Sequence, residues 1–196
     1  MEAAGLNIPN KLTVVRVLLA PVFLALLIWP FANHYLAALL VFIIASITDW
    51  LDGRIARRRN IVTDFGKFLD PIADKLLTFS AFLGFIVNDL VWGAVWVVFI
   101  VLLREFLVAS IRLLAAADGN VIAADHLGKV KTVGQMTAII LTLLFEYVIS
   151  AAALDLQIVT ALRYSESVLV WISAVLTLLS GANYLYQNRR YIKSGK

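Results

Sequence analysis

The chain has 196 residues, 62% of them hydrophobic and 15% charged, with a mean hydropathy of +0.89 and a net charge of +4. Water-soluble domains hold about 45–50% apolar and about 25% charged residues, so a fully water-facing surface is excluded and most of the surface is expected to meet lipid. The chain contains no cysteine, which excludes disulfides, thiolate metal sites and cysteine nucleophiles.

Roughly 20 mostly apolar residues span a bilayer as a helix, and about six such stretches fit. The first is expected over Leu12–Trp29, after a short interfacial segment ending Asn7-Ile8-Pro9-Asn10-Lys11. No small-residue cleavage site follows it, so it is expected to be retained. A second helix is expected from Leu36 through Arg57, then a polar loop over residues 58–64, and a third helix from Phe65 to Val87. The fourth runs from Leu90 to Ala117, the fifth from Lys131 to Ala151 and the sixth from Ser167 to Gln187. Residues 151–165 are read as a short external or interfacial segment, and His34 and His126 as solvated. The apolar stretches have helical length and no strict alternation, which argues against a β-barrel. The expected fold is therefore an all-α integral membrane domain of six transmembrane helices covering residues 1–196.

Cations alternate between connections. Lys11, Arg57–Arg59 with Lys67, Lys129 with Lys131, and Arg189, Arg190, Lys193 and Lys196 fall on one side, against Arg163 alone on the other. By the positive-inside rule both termini are expected to be cytoplasmic. The same rule accounts for the net positive charge without a nucleic-acid partner.

Asp49, Asp52, Asp70 and Asp74 lie in or beside apolar helices. Charge at membrane depth costs a few kcal/mol or more, so such residues point to function. Asp49 and Asp52 are three apart, and Asp70 and Asp74 four apart, so each pair shares one helix face. If the two helices are antiparallel neighbours, four carboxylates converge near the cytoplasmic boundary. Like charges so close repel unless cations or protons intervene, and oxygen ligands without Cys or His suit Mg²⁺ or Mn²⁺. A salt-bridged boundary with Arg54, Arg57, Arg58 and Lys75 is the alternative. It leaves unexplained the small residues Gly53, Ala56 and Gly66, which admit a close helix or ligand. Arg57 can hold a phosphate by paired hydrogen bonds.

The segment Asp49-Trp50-Leu51-Asp52-Gly53-Arg54-Ile55-Ala56-Arg57, followed by Gly66, Asp70 and Asp74, resembles the signature of CDP-alcohol phosphotransferases at every fixed position. The resemblance implies six transmembrane helices and a homodimer. It implies that Asp49, Asp52, Asp70 and Asp74 ligate two Mg²⁺ or Mn²⁺ ions, Asp70 bridging and Asp74 also serving as general base. It implies that Gly53, Arg57 and Thr63, with Ala56 and Gly66, line the site of the CDP-lipid.

A second polar set is Arg104-Glu105 and Arg112 on the fourth helix and Lys129 and Lys131 at the opening of the fifth. Cations beside a helix N-terminus favour an anion, so a phosphate-bearing acceptor suits them. Plain positive-inside anchoring is the alternative for the lysines. For Arg104 the alternative is pairing with a motif acid or, less favourably because adjacent residues diverge on a helix, with Glu105. The start from Asn7 to Arg16, Arg104-Glu105-Phe106 and the Gly128–Gln135 stretch are similar to bacterial phosphatidylglycerophosphate synthases. That similarity implies CDP-diacylglycerol and sn-glycerol 3-phosphate as substrates, a bacterial inner-membrane location with a cytoplasm-facing site, and Asn10, Thr13 and Arg16 near the nucleotide or acceptor. The same chemistry on inositol phosphate, serine or phosphatidylglycerol is the nearest rival. A divalent-cation transporter or a non-catalytic scaffold are the rivals of other classes.

Overall fold

The structure, a computed structural model, describes residues 8–59, 64–120, 122 and 126–193; the side chains of residues 8–11, 49–59, 64–68, 70, 74, 192 and 193 lie outside the description. Among the described residues all regular structure is helical. The helices are α1 (Ile8–Ile28), α2 (His34–Arg59), α3 (Asp64–Val87), α4 (Ala94–Ala117), α5 (His126–Ala151), α6 (Leu156–Gln187) and the short α7 (Arg189–Lys193).

Their order in space is not their order in sequence. α1 packs along both α2 and α3; α2 then meets α5, α5 meets α6, α6 meets α4, and α4 returns to α3. The six long helices thus close a ring in the order α1, α2, α5, α6, α4, α3. Along the described spans α1 lies between α2 and α3, which touch only sparsely; the acid-bearing ends, where the antiparallel pairing is expected, have side chains outside the description. Small and aromatic side chains fill the centre, among them Phe23, Phe42, Phe82, Phe85 and Ala174. The outside is apolar too: Leu18, Phe106 and Leu113 are 62%, 67% and 74% exposed. Polar groups sit inside, with Thr142 and Glu166 fully buried. An apolar exterior around a partly polar interior is the pattern expected of a bundle solvated by lipid.

α4, α5 and α6 are each long and apolar enough to cross a membrane; α1 and α2 carry shorter apolar stretches, Leu12–Ile28 and His34–Thr48.

Several element boundaries differ from expectation. α4 begins at Ala94 because residues 88–93 turn, with Asp89 at φ 50° and Gly93 at φ 68°, a left-handed conformation that glycine adopts without strain. α5 begins at His126, so Lys129 and Lys131 lie inside its first two turns. Residues 156–165 are not a separate segment. They open α6, whose cap is Asp155, accepting a hydrogen bond from the Gln157 backbone N–H at 3.4 Å. His34 is not a solvated turn residue either. It starts α2 half-buried, its ring 3.9 Å from that of Tyr35, with Nδ1 shielded and lacking a hydrogen-bond partner. His126 is exposed, as expected.

Two inward carboxylates, Glu146 on α5 and Glu166 on α6, lie at the end of the bundle holding the α5–α6 turn. Arg163 Nε approaches Glu146 Oε1 to 3.3 Å, in ion-pair range but outside hydrogen-bond alignment, and both Glu166 oxygens lack a donor.

Candidate active site

α2 ends at Arg59 and α3 begins at Asp64. Asp52 and Asp70 therefore each lie about two turns from the connection, and Asp49 and Asp74 about three. The two acid pairs occupy matching depths at one end of the bundle. The helix between them supplies a third wall. Asn88 Nδ2 donates to the Leu27 carbonyl at 3.1 Å, and a Cβ on Gly84 would stand 2.2 Å from Leu27 Cδ2, so α1 and α3 run parallel in close contact. Counted back from that contact along two helices of equal rise, Asp70 comes level with Thr13 and Asp74 with Val17. Thr13 and Arg16 are both buried, 2% exposed, on α1. Asn10 lies in α1, Gly53, Ala56 and Arg57 in α2 and Gly66 in α3, with their side chains outside the description; Thr63 lies outside the described residues altogether.

Among the described residues no three His, Cys, Asp or Glu side chains gather as a metal site, and the four Asp side chains are not among those residues. The donor set at that end of α2 and α3 is carboxylate only. His34 lies at the opposite end of α2, and His126 opens α5. Hard divalent cations fit such donors; thiophilic or imidazole-preferring metals do not.

The second polar set converges. Arg104, Arg112, Lys129 and Lys131 all line one cavity of about 420 Å³ between α4, α5 and α6, where Lys75, Glu105 and Tyr184 join them. Glu105 is the hub. Its Oε1 accepts from Lys131 Nζ and, at 3.0 Å, from Arg104 Nη1, while Lys75 Nζ stands 3.6 Å from Oε2. The disfavoured pairing of Arg104 with its neighbour Glu105 is therefore real. The long guanidinium reaches around the helix because the cavity draws both side chains to one side, and Lys131 fixes the carboxylate there.

α6 seats the arginines. Arg104 Nη2 donates to Ser180 Oγ at 2.9 Å, and Arg112 Nε donates to the Tyr184 hydroxyl at 3.3 Å with its guanidinium carbon 5.8 Å from the ring centroid. Between them a Cβ on Gly181 would lie 2.9 Å from Arg104 Cγ, so the absence of a side chain there is what lets the arginine stem pass. Arg104 Nε remains buried without a partner. Thr132 Oγ1 donates to the Gly128 carbonyl at 3.0 Å and Gln135 Nε2 to Thr177 Oγ1 at 3.0 Å, tying the lysine-bearing turns of α5 to themselves and to α6. Ser180, Gly181 and Tyr184 escape the sequence reading. The signal for them is faint: polar residues four apart on an otherwise apolar helix. Lys75 and Glu105 are visible in the sequence, but not their meeting.

Lys75 follows Asp74 directly on α3, so the α3 backbone that carries Asp70 and Asp74 runs up to the edge of the cationic cavity. Cations gathered in one cavity beside an acid-bearing helix are a combination that suits phosphoryl transfer, whose charge develops on oxygen. Residues 6–179 match the family model described as CDP-alcohol phosphatidyltransferase, and the chain belongs to that family. It is 38% identical over 200 residues to the CDP-diacylglycerol–glycerol-3-phosphate 3-phosphatidyltransferase of Bacillus subtilis strain 168, covering 96% of this chain and 98% of that one. Proteins of the same name from Rickettsia felis and Salmonella paratyphi A are 35% and 36% identical, over 94% and 91% of this chain and 97% and 93% of theirs.

Proposed function

We propose that the chain transfers the phosphatidyl group of CDP-diacylglycerol to sn-glycerol 3-phosphate, giving phosphatidylglycerophosphate and CMP. The observation that carries the choice of acceptor is the single cavity holding Arg104, Arg112, Lys129 and Lys131 next to the α3 turn of Asp74. A neutral or zwitterionic alcohol has no use for four cations, whereas a phosphate dianion does; between glycerol 3-phosphate and inositol phosphate, the names of the relatives favour the former.

Asp49, Asp52, Asp70 and Asp74 would hold two divalent cations, Mg²⁺ or Mn²⁺, which would supply charge neutralisation for the pyrophosphate and the CMP leaving group. Gly53, Ala56 and Gly66 leave room for the nucleotide, with Arg57 and Thr63 reaching its phosphates and Asn10, Thr13 and Arg16 bordering it from α1. The cavity cations fix the acceptor's phosphate. Asp74 takes the proton of the acceptor hydroxyl as its oxygen attacks the β-phosphorus; the bond from that phosphorus to the bridging oxygen breaks, and CMP leaves. We further read residues 1–196 as one domain of six membrane spans with both termini cytoplasmic, the site facing the cytoplasm of a bacterial inner membrane, and the protein as a homodimer.

The test is CMP release by the purified chain with CDP-diacylglycerol and Mg²⁺ or Mn²⁺, offered glycerol 3-phosphate, inositol phosphate, serine or phosphatidylglycerol in turn. Turnover with glycerol 3-phosphate, lost on chelation, is expected. Turnover with another alcohol and none with glycerol 3-phosphate overturns the acceptor. Asp74→Asn is expected to lower kcat by about 100- to 10,000-fold with the helical fold retained, and substantial residual turnover removes Asp74 as the base.

A further inference from the structure

Three cations surround Glu105, and they are not equally engaged. Arg104 is held in place by Glu105 and Ser180, and Lys131 sits in the closest contact with Glu105, their side chains 11% and 9% exposed. Lys75 differs. Among the described residues its two contacts lie at the outer limit of useful range, 3.6 Å to Glu105 Oε2 and 3.5 Å to the Pro71 carbonyl, and its side chain is 36% exposed. Removing Lys75 leaves Glu105 with two closer cationic partners. Lys75 also lines the large cavity and, behind it, a water-sized one of about 30 Å³ bounded by Glu105, Lys131 and Gln135. It is the residue next to Asp74 on the same helix.

We propose that Lys75 is a further acceptor-binding residue, its ammonium moving from Glu105 to the phosphate of the incoming alcohol. This rests on the phosphorylated-acceptor reading above and deepens it. Glu105 holds the ammonium ready while the cavity is empty. The phosphate, a stronger acceptor with more negative charge, then takes it over. Because the lysine and the base are consecutive on α3, docking the phosphate also fixes the turn that carries Asp74. The acceptor hydroxyl and its proton acceptor are thereby set against each other by one helix. Specificity follows as well: an acceptor without phosphate leaves Lys75 on Glu105 and loses that registration.

The experiment measures CMP release as a function of glycerol 3-phosphate and, separately, of CDP-diacylglycerol for Lys75→Met, Lys75→Gln and Lys75→Arg. Loss of one charge-assisted contact is expected to raise the acceptor KM by about 10- to 100-fold. The KM for CDP-diacylglycerol should stay within about twofold and Lys75→Arg should restore most of the affinity. Unchanged acceptor KM in both neutral variants, or equal loss for both substrates without rescue by arginine, overturns the proposal. Inorganic phosphate separates this from the wider reading. Titrated onto the full chain without lipid substrate, it should bind more weakly to both neutral variants. If the unaltered chain turns over no glycerol 3-phosphate, the functional reading falls, and this phosphate titration alone decides for or against Lys75.

Discussion

At the residue scale the telling position is Gly181. A methyl group there would press on the Arg104 stem at 2.9 Å, and the side chain that must yield is one proposed above to bind the acceptor. Gly181→Ala is therefore expected to raise the KM for glycerol 3-phosphate about tenfold, at the lower end of the roughly 1–3 kcal/mol typical of overpacking. The KM for CDP-diacylglycerol should hold, and steady-state kinetics with each substrate varied in turn checks it. Glu105→Gln makes the complementary case. Neutralising the hub frees Arg104 and Lys131 from their anchor, so acceptor affinity should fall through lost orientation although the cavity becomes more positive. Tighter binding of glycerol 3-phosphate in this variant would show that Glu105 only competes with the ligand. The four cations were legible in the sequence because charge in apolar helices has few structural uses. Their seating was not. Ser180, Gly181 and Tyr184 act through geometry across two helices, and spacing within one helix does not reveal which neighbour it faces.

At the element scale α1 and α3 interlock where Gly84 accepts Leu27. Adding a methyl at that contact should destabilise the bundle by about 1–3 kcal/mol, and Leu27→Ala in the same chain should recover part of the loss by making room. Thermal unfolding in detergent of the two single variants and the double variant measures it. The α5–α6 pair offers an opposite expectation. Both Glu166 oxygens are buried without a donor, so Glu166→Gln, which brings an amide donor of the same shape, should leave the thermal midpoint unchanged or raise it, whereas Glu166→Leu leaves Glu146 with one fewer polar neighbour and should not. The existence of the six long helices was legible from apolar length alone, whereas the short polar α7, Arg189–Lys193, was read as a tail. Helix ends were less so. The start of α4 depends on the left-handed Asp89 and Gly93, and α6 continues through Thr160, Arg163 and Ser165 because Asp155 caps it ahead of that polar stretch rather than after it.

At the scale of the whole molecule the sequence announces a membrane protein and one motif, but not the ring. A helix apolar on every side carries little periodic signal to say which side meets protein, so α1 lying between the two acid-bearing helices could not be read from spacing. That insertion matters, because it brings Thr13 and Arg16, buried on α1, to the depth of the α3 turns that carry Asp70 and Asp74. On the proposed reading, with the acceptor cavity built from α3, α4, α5 and α6 and the carboxylates from α2 and α3, five of the six long helices contribute directly to chemistry. Disturbance of any of them should therefore register in turnover before it registers in secondary structure.

α6 has 32 residues, about 48 Å at 1.5 Å per residue, against roughly 30 Å of hydrocarbon. A helix of that length must lean or stand clear of the oily layer, and its first turns, with Gln157, Thr160 and Arg163 exposed, are the part free to do so. The chain has no cysteine, so a thiol introduced there is the molecule's sole target for a maleimide. In intact cells stripped of their outer envelope, a membrane-impermeant maleimide should tag Gln157→Cys from outside and reach Asn120→Cys only after permeabilisation. The reverse pattern would turn the whole bundle over in the bilayer.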